Sequence, residues 1–107
     1  MDERTAILFE WNYKKAEENY QKHGVSFETA TKVFLDDERL EIFDQEHSSQ
    51  AEYRYIVIGY ADDILYVVYT ERSEKIRLIS ARRATLMERN LYRDYSIYIR
   101  SERKNNR

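Results

Sequence analysis

Two rhythms of apolar and polar residues divide the chain. Between Tyr53 and Arg83 the runs YRYIVIGY, ILYVVYTER and KIRLISARR alternate at the two-residue period of a strand, separated by Asp62-Asp63 and Ser73-Glu74. Turns this short force hairpins, so the pattern predicts an antiparallel three-strand meander. With both dipeptides as two-residue loops, Arg54 stands opposite Glu71, and Glu71 opposite Ile76. One face then collects Ile56, Ile58, Leu65, Val67, Tyr69, Ile76 and Leu78, an apolar surface for helices to cover. The other collects Tyr53, Tyr55, Tyr66, Thr70, Arg72, Arg77 and Arg83 around a spine of Val57, Val68, Ile79 and Ala81.

Before the meander the period lengthens. Ala6 to Trp11 is a short run of strand formers, and Asn12 caps a helix from Tyr13 whose inner face is predicted to be Tyr13, Ala16, Tyr20 and His23. Gly24 stops it in a left-handed conformation, and Ser26 starts a second helix, with Glu28 in its first turn and Val25 and Ala30 as a staple. Phe27, Ala30, Val33 and Phe34 form its buried face, Asp36-Asp37-Glu38 ends it, and Leu40 to Phe43 reads as a strand before a polar loop. After the meander, Thr85 and Glu88 fit a capping box, and Met87, Leu91 and Tyr95 give a third helix its stripe. The expected fold is α+β: an antiparallel sheet containing the meander, two N-terminal helices packed on one face, and a C-terminal helix. Residues 1–95 are expected to form the single domain. Residues 96–107 are an extension that could continue the helix, add an edge strand or fray.

At 107 residues the chain has room for one core of two packed layers. It has no cysteine, no proline and two glycines, so thiolate metal sites are excluded and no linker divides it. His23 and His47 are the only nitrogen ligands a transition metal could find, and no cofactor is expected. The acidic start MDERTAILFEW is unlike a signal peptide, and no apolar run reaches the length of a membrane span, so a soluble cytoplasmic protein is expected. Charge is uneven: residues 1–53 carry six basic and thirteen acidic side chains, and residues 54–107 carry twelve basic and seven acidic. That asymmetry allows a basic surface on a nearly neutral protein.

A sheet face of arginines beside tyrosines suits single-stranded RNA, since guanidinium groups pair with phosphates and rings stack on unpaired bases. Tyrosine and arginine also pair across strands for packing alone. By that reading Tyr53, Arg54, Tyr55, Tyr66 and Arg77 are the RNA-binding candidates.

Several stretches in order, FEWNYKKAEEN, KHGVSFETATKVF, YRYIVIG, VVYTER and IRLISARRATLMER, resemble the BrnT family of type II toxin-antitoxin toxins over about Leu8 to Tyr92. The resemblance implies a RelE-like ribonuclease fold and inhibition of translation by RNA cleavage. It also implies neutralisation by a BrnA-like antitoxin, through which alone DNA would be contacted. Cleavage in that group needs no metal: the ribose 2′-hydroxyl attacks the adjacent phosphate, which calls for a base, a charge clamp and an acid.

The catalytic candidates are His23, Glu71, Arg72, Arg82 and Arg83. Arginine stays protonated, so Arg72, Arg77 and Arg83 suit phosphate positioning rather than proton abstraction. His23, Glu71 and the tyrosines are left as base and acid, with Glu71 drawn towards Arg54 by the expected register. An imidazole in the last helical turn before glycine can also simply meet exposed carbonyls, and that capping role accounts for the position of His23. Arg82 and Arg83, as successive strand residues, point to opposite faces, so one can serve RNA while the other serves structure. The alternative to an enzyme is a non-catalytic module of the same fold holding an acidic protein partner.

Overall fold

A computed structural model of the chain describes residues 7–105. The elements are β1 (Leu8–Glu10), α1 (Tyr13–His23), α2 (Phe27–Ala30), a 3-10 turn (Thr31–Leu35), β2 (Leu40–Phe43), β3 (Arg54–Ala61), β4 (Asp63–Arg72), β5 (Lys75–Arg83) and α3 (Leu86–Asn105). The architecture is α+β, with five strands in the order β1-β5-β4-β3-β2. Strands β2 to β5 run antiparallel to their neighbours, whereas β1 joins β5 in parallel. Ala6, expected at the start of the first strand, lies outside the described residues.

Local chemistry sets the helix ends. The side chains of Asn12 and Ser26 accept hydrogen bonds from the backbone N–H groups of Lys15 (3.0 Å) and Thr29 (3.1 Å). Gly24 takes φ +71° and donates to the Tyr20 carbonyl, closing α1. Thr85 and Glu88 bond each other reciprocally at the start of α3, as a capping box requires.

The two hairpins differ. Ser73 and Glu74 both have positive φ, the type I′ geometry, and Glu71 pairs with Ile76 as the turn length predicts. At the other hairpin Asp62 alone forms the apex, with φ +66°, and Ala61 pairs with Asp63. The register is therefore one residue away from the expected one: Arg54 stands opposite Thr70, not Glu71. Two contacts account for the slip. Asp63 is held in the strand by Arg89 (2.9 Å) and Arg83 (3.4 Å), and Gly59 faces the 3-10 turn, where an added Cβ would sit 3.1 Å from the Val33 Cβ.

The slip exchanges the faces of β3. Val57 and Ala61 join Leu65, Val67, Tyr69 and Leu78 in the core under Phe27, Ala30, Val33 and Phe34, while Ile56 and Ile58 are buried outside that cluster. A second irregularity follows in β5. Tyr69 pairs with Leu78 but Val68 with Ser80, so Ile79 is an extra residue, and beyond it Ala81 and Arg83 turn to the helical side while Arg82 turns away. Arg83 thus leaves the face predicted for it.

The helices also pack differently from their apolar stripes. Tyr13 and Tyr20 are 86% and 57% exposed, and the inner side of α1 is Ala16, Asn19 and His23 instead. Beyond the end of β1 no strand among the described residues pairs with the edge of β5, and the buried Asn19 carboxamide takes that place. It donates to the Ala81 carbonyl (2.8 Å) and accepts from the Ala81 N–H (3.1 Å), with a further bond to the Val25 carbonyl (3.0 Å). In α3 the inner side is polar. Tyr92 donates to Asp36 (2.6 Å), Ser96 donates to Glu38, and Arg100 clasps Glu38 through two bonds of 2.9 Å, while Met87 and Leu91 face outward. Hydrogen bonds from Arg100, then Ser96, hold the Glu38 carboxyl down at about 2, with Arg103 adding attraction. No helix among the described residues is long and apolar enough to cross a membrane.

Candidate functional site

The Ser73-Glu74 turn holds its expected register and sets Arg77 opposite Thr70, and the slipped β3-β4 register brings Arg54 to the same place. Arg54, Thr70 and Arg77 lie in one row across β3, β4 and β5, and Arg72 beside Lys75 forms the next row. Successive residues alternate faces, so these side chains share the sheet surface that α1 and α2 leave open. Thr70 is buried and anchors the row, its hydroxyl donating to the Tyr53 carbonyl (2.7 Å).

Two cavities of about 260 Å³ each meet at Thr70 and Glu52. The first is lined by Tyr53, Tyr55, Glu71 and Arg72 together with Gln50 and Ala51. The second is lined by Arg54 and Arg77 with Asn12 and Lys15, from the start of α1, and with Leu78 and Ile79. Cations dominate the shared cleft: Lys15, Arg54, Arg72 and Arg77 line it with Glu52, and Glu10 pairs with Arg77 at 3.4 Å. The Glu52 carboxylate accepts from Arg54 (3.2 Å) and from Arg72 (3.4 Å). Glu71 is exposed at the rim, and with the register shifted it is Thr70, not Glu71, that stands opposite Arg54.

Aromatic rings reach the same cleft from the core. A chain of close contacts runs Phe9, Phe34, Tyr69, Tyr55, Phe43, Tyr53, with centroids 5.1 to 5.8 Å apart at each step. Tyr55, expected to stand among the arginines, instead stacks on Tyr69 on the helical side, displaced by the register slip. Tyr53 ends the chain and is 55% exposed. Burial, then the neighbouring Glu41 carboxylate, raises the Tyr69 phenol above its ordinary range, so it stays protonated.

The remaining candidates lie at the far end of the meander, about 20 Å from Arg77 along β5 at the usual rise per strand residue. Arg82 caps the Tyr66 ring at 4.0 Å and grips Glu88 through two bonds of 2.8 and 2.9 Å. The grip raises Arg82 and lowers Glu88 from their ordinary values, while burial raises Tyr66. Arg83 pairs with Asp63 and directs its guanidinium to the carbonyl of His23 (3.5 Å), so an arginine from β5 meets the carboxyl end of α1. The His23 imidazole makes no hydrogen bond among the described residues, and His47 pairs with Asp44 (2.9 Å) in the polar loop. Trp11 packs edge-on against Phe27.

Sequence reasoning missed Lys15 and Glu52. Lys15 reads as an exposed helical lysine, and Glu52 sits in a loop whose path depends on the Ser49–Glu52 backbone bonds. The spacing Glu52-x-Arg54 beside Arg72 was the available signal. Among the described residues, no group of three or more His, Cys, Asp or Glu side chains is placed to hold a metal ion.

Residues 11–88 match the family of ribonuclease toxins, BrnT, of type II toxin-antitoxin systems. Among solved structures, the ribonuclease toxin BrnT of Brucella abortus is similar with a TM-score of 0.56 and 23% sequence identity, over 75% of this chain and 99% of that one, a likeness of fold. No curated protein matches the chain.

Proposed function

Since the chain belongs to the BrnT family of ribonuclease toxins of type II toxin-antitoxin systems, we propose that it cuts RNA without metal at the cleft around Thr70. The observation that carries this reading is the row Arg54, Thr70, Arg77 with Arg72 beside it, open on the sheet face and bordered by the exposed ring of Tyr53. The strands hold these guanidinium groups in place before substrate arrives, so little reorganisation is needed when charge builds on a phosphate in the transition state. Tyr53 stacks on an unpaired base next to the scissile bond. Glu71 leaves β4 on the opposite face from Arg72 but lines the same cavity at the end of the strand, and from there it takes the proton of the attacking 2′-hydroxyl. Attack closes a 2′,3′-cyclic phosphate and breaks the bond to the 5′-oxygen, which leaves as a hydroxyl by taking a proton from water in the open cleft, and no metal-bound water is needed. Arg82, Arg83 and His23 serve the fold at the other end.

Cleavage of translated RNA inhibits protein synthesis, and a BrnA-like antitoxin opposes it. The RelE-like description of the fold belongs to the same proposal. The test is incubation of RNA with antitoxin-free protein in excess EDTA. Fragments ending in cyclic phosphate support the proposal, and intact RNA contradicts it. The competing reading, a non-catalytic module for an acidic protein, draws on the same basic row. It predicts normal bacterial growth on expression of the folded protein alone, where the toxin predicts arrest relieved by Arg72→Ala.

A further inference from the structure

Glu52 stands out in this cleft because it is the one carboxylate that spans two arginines with separate oxygens: Oε1 takes Arg54 and Oε2 takes Arg72. Two oxygens of one anion, each bound by a different guanidinium, is also how a phosphodiester would present its two non-bridging oxygens. We infer that the position now filled by the Glu52 carboxylate is the phosphodiester seat of the cleft, and that substrate enters by displacing Glu52. The inference rests on the proposed RNA-cutting function for its ligand.

The supports of the three residues indicate which group gives way. Arg54 and Arg72 project from paired strands, opposite Thr70 and Lys75 respectively. Glu52 projects from the connecting loop, its backbone tied to Ser49. Its side chain is one third exposed and can swing to water by rotation about its own bonds. Arg77 and Glu10 form no comparable device, because both come from paired strands in direct register. Glu52 also lines both cavities, with Thr70 at their floor, so its departure widens the passage between them from Lys15 to Tyr53. Removing its charge leaves the two guanidinium groups in place and makes the seat more attractive to any phosphate.

The experiment compares the full chain with Glu52→Gln and Glu52→Asp, the latter too short to span both arginines. Binding is measured for two probes: inorganic phosphate, and an all-2′-deoxy single-stranded oligonucleotide, which lacks the attacking hydroxyl and cannot be cut. Both variants should bind the oligonucleotide about three- to tenfold more tightly at low salt, and adding Arg54→Ala to Glu52→Gln should abolish the gain. With RNA, KM should fall by a similar factor while kcat stays within about twofold. Unchanged or weaker oligonucleotide binding by folded variants overturns the inference, as does tightening for inorganic phosphate alone. A collapse of kcat at constant KM also overturns it, since Glu52 would then be a proton acceptor. Tighter oligonucleotide binding without any RNA cleavage would keep the seat and sink the ribonuclease reading instead.

Discussion

The two ends of the β3-β4-β5 unit hold the same kind of residue in different company. At the Asp62 end, Arg82, Arg83 and Arg89 meet partners fixed in strands or at helix ends: Glu88, Asp63, the Tyr66 ring and the His23 carbonyl. At the Ser73-Glu74 end, Arg54 and Arg72 share one loop carboxylate in an open cleft. A guanidinium with rigid partners on several sides stabilises the fold. One with a single displaceable partner can receive an anion. Residue type alone does not separate these roles; the number and anchoring of partners does.

The comparison is sharpened most by removing one arginine from each end. Arg54→Ala should lower RNA cleavage on the order of 100-fold with unfolding midpoints little changed, measured by initial rates and by urea denaturation. Next in size, Arg82→Ala should cost about 2 kcal/mol of stability in the same denaturation measurement, because it strands Glu88 beside a bare Tyr66 ring.

Acidification should loosen α3. Glu38 is depressed from 4.5 to about 2, so its clasp on Arg100 and Ser96 is fully present above the ordinary carboxylate range and is lost as pH falls through about 2. A carbon NMR titration should place the Glu38 midpoint near 2, and a midpoint near 4.5 would break the clasp account. The smallest effect belongs to the turn at the open end. Ser73 and Glu74 both hold positive φ without being glycine, so Asn-Gly in their place should raise stability by about 1 kcal/mol and leave cleavage unchanged.

Legibility followed the range of the interaction. The caps at Asn12, Ser26, Gly24 and Thr85 were readable because each is satisfied within a few residues. So was the pairing of Glu71 with Ile76, and with it the gathering of Arg72 and Arg77. The register at Asp62 was not, because it depends on Gly59 approaching Val33 and on Arg89 reaching Asp63, both remote in sequence. The bulge at Ile79, which sends Arg83 to the helical side, has no local signature. Nor could periodicity choose Asn19 over Tyr13 and Tyr20 as the inner side of α1, since the need for a buried carboxamide arises only once β5 has an edge to satisfy. Tyr55 left the arginine face for the same reason that Ile58 left the core face: one residue of slip reverses a strand.

The most direct test sets Arg72→Ala against Arg83→Ala in one cleavage assay with EDTA present and the cut ends mapped. The account predicts that Arg72→Ala loses about 100-fold in rate while Arg83→Ala keeps its rate within about threefold and still yields cyclic phosphate ends. Loss of cleavage in Arg83→Ala with full activity in Arg72→Ala would place the chemistry at the other end of the strands and contradict it.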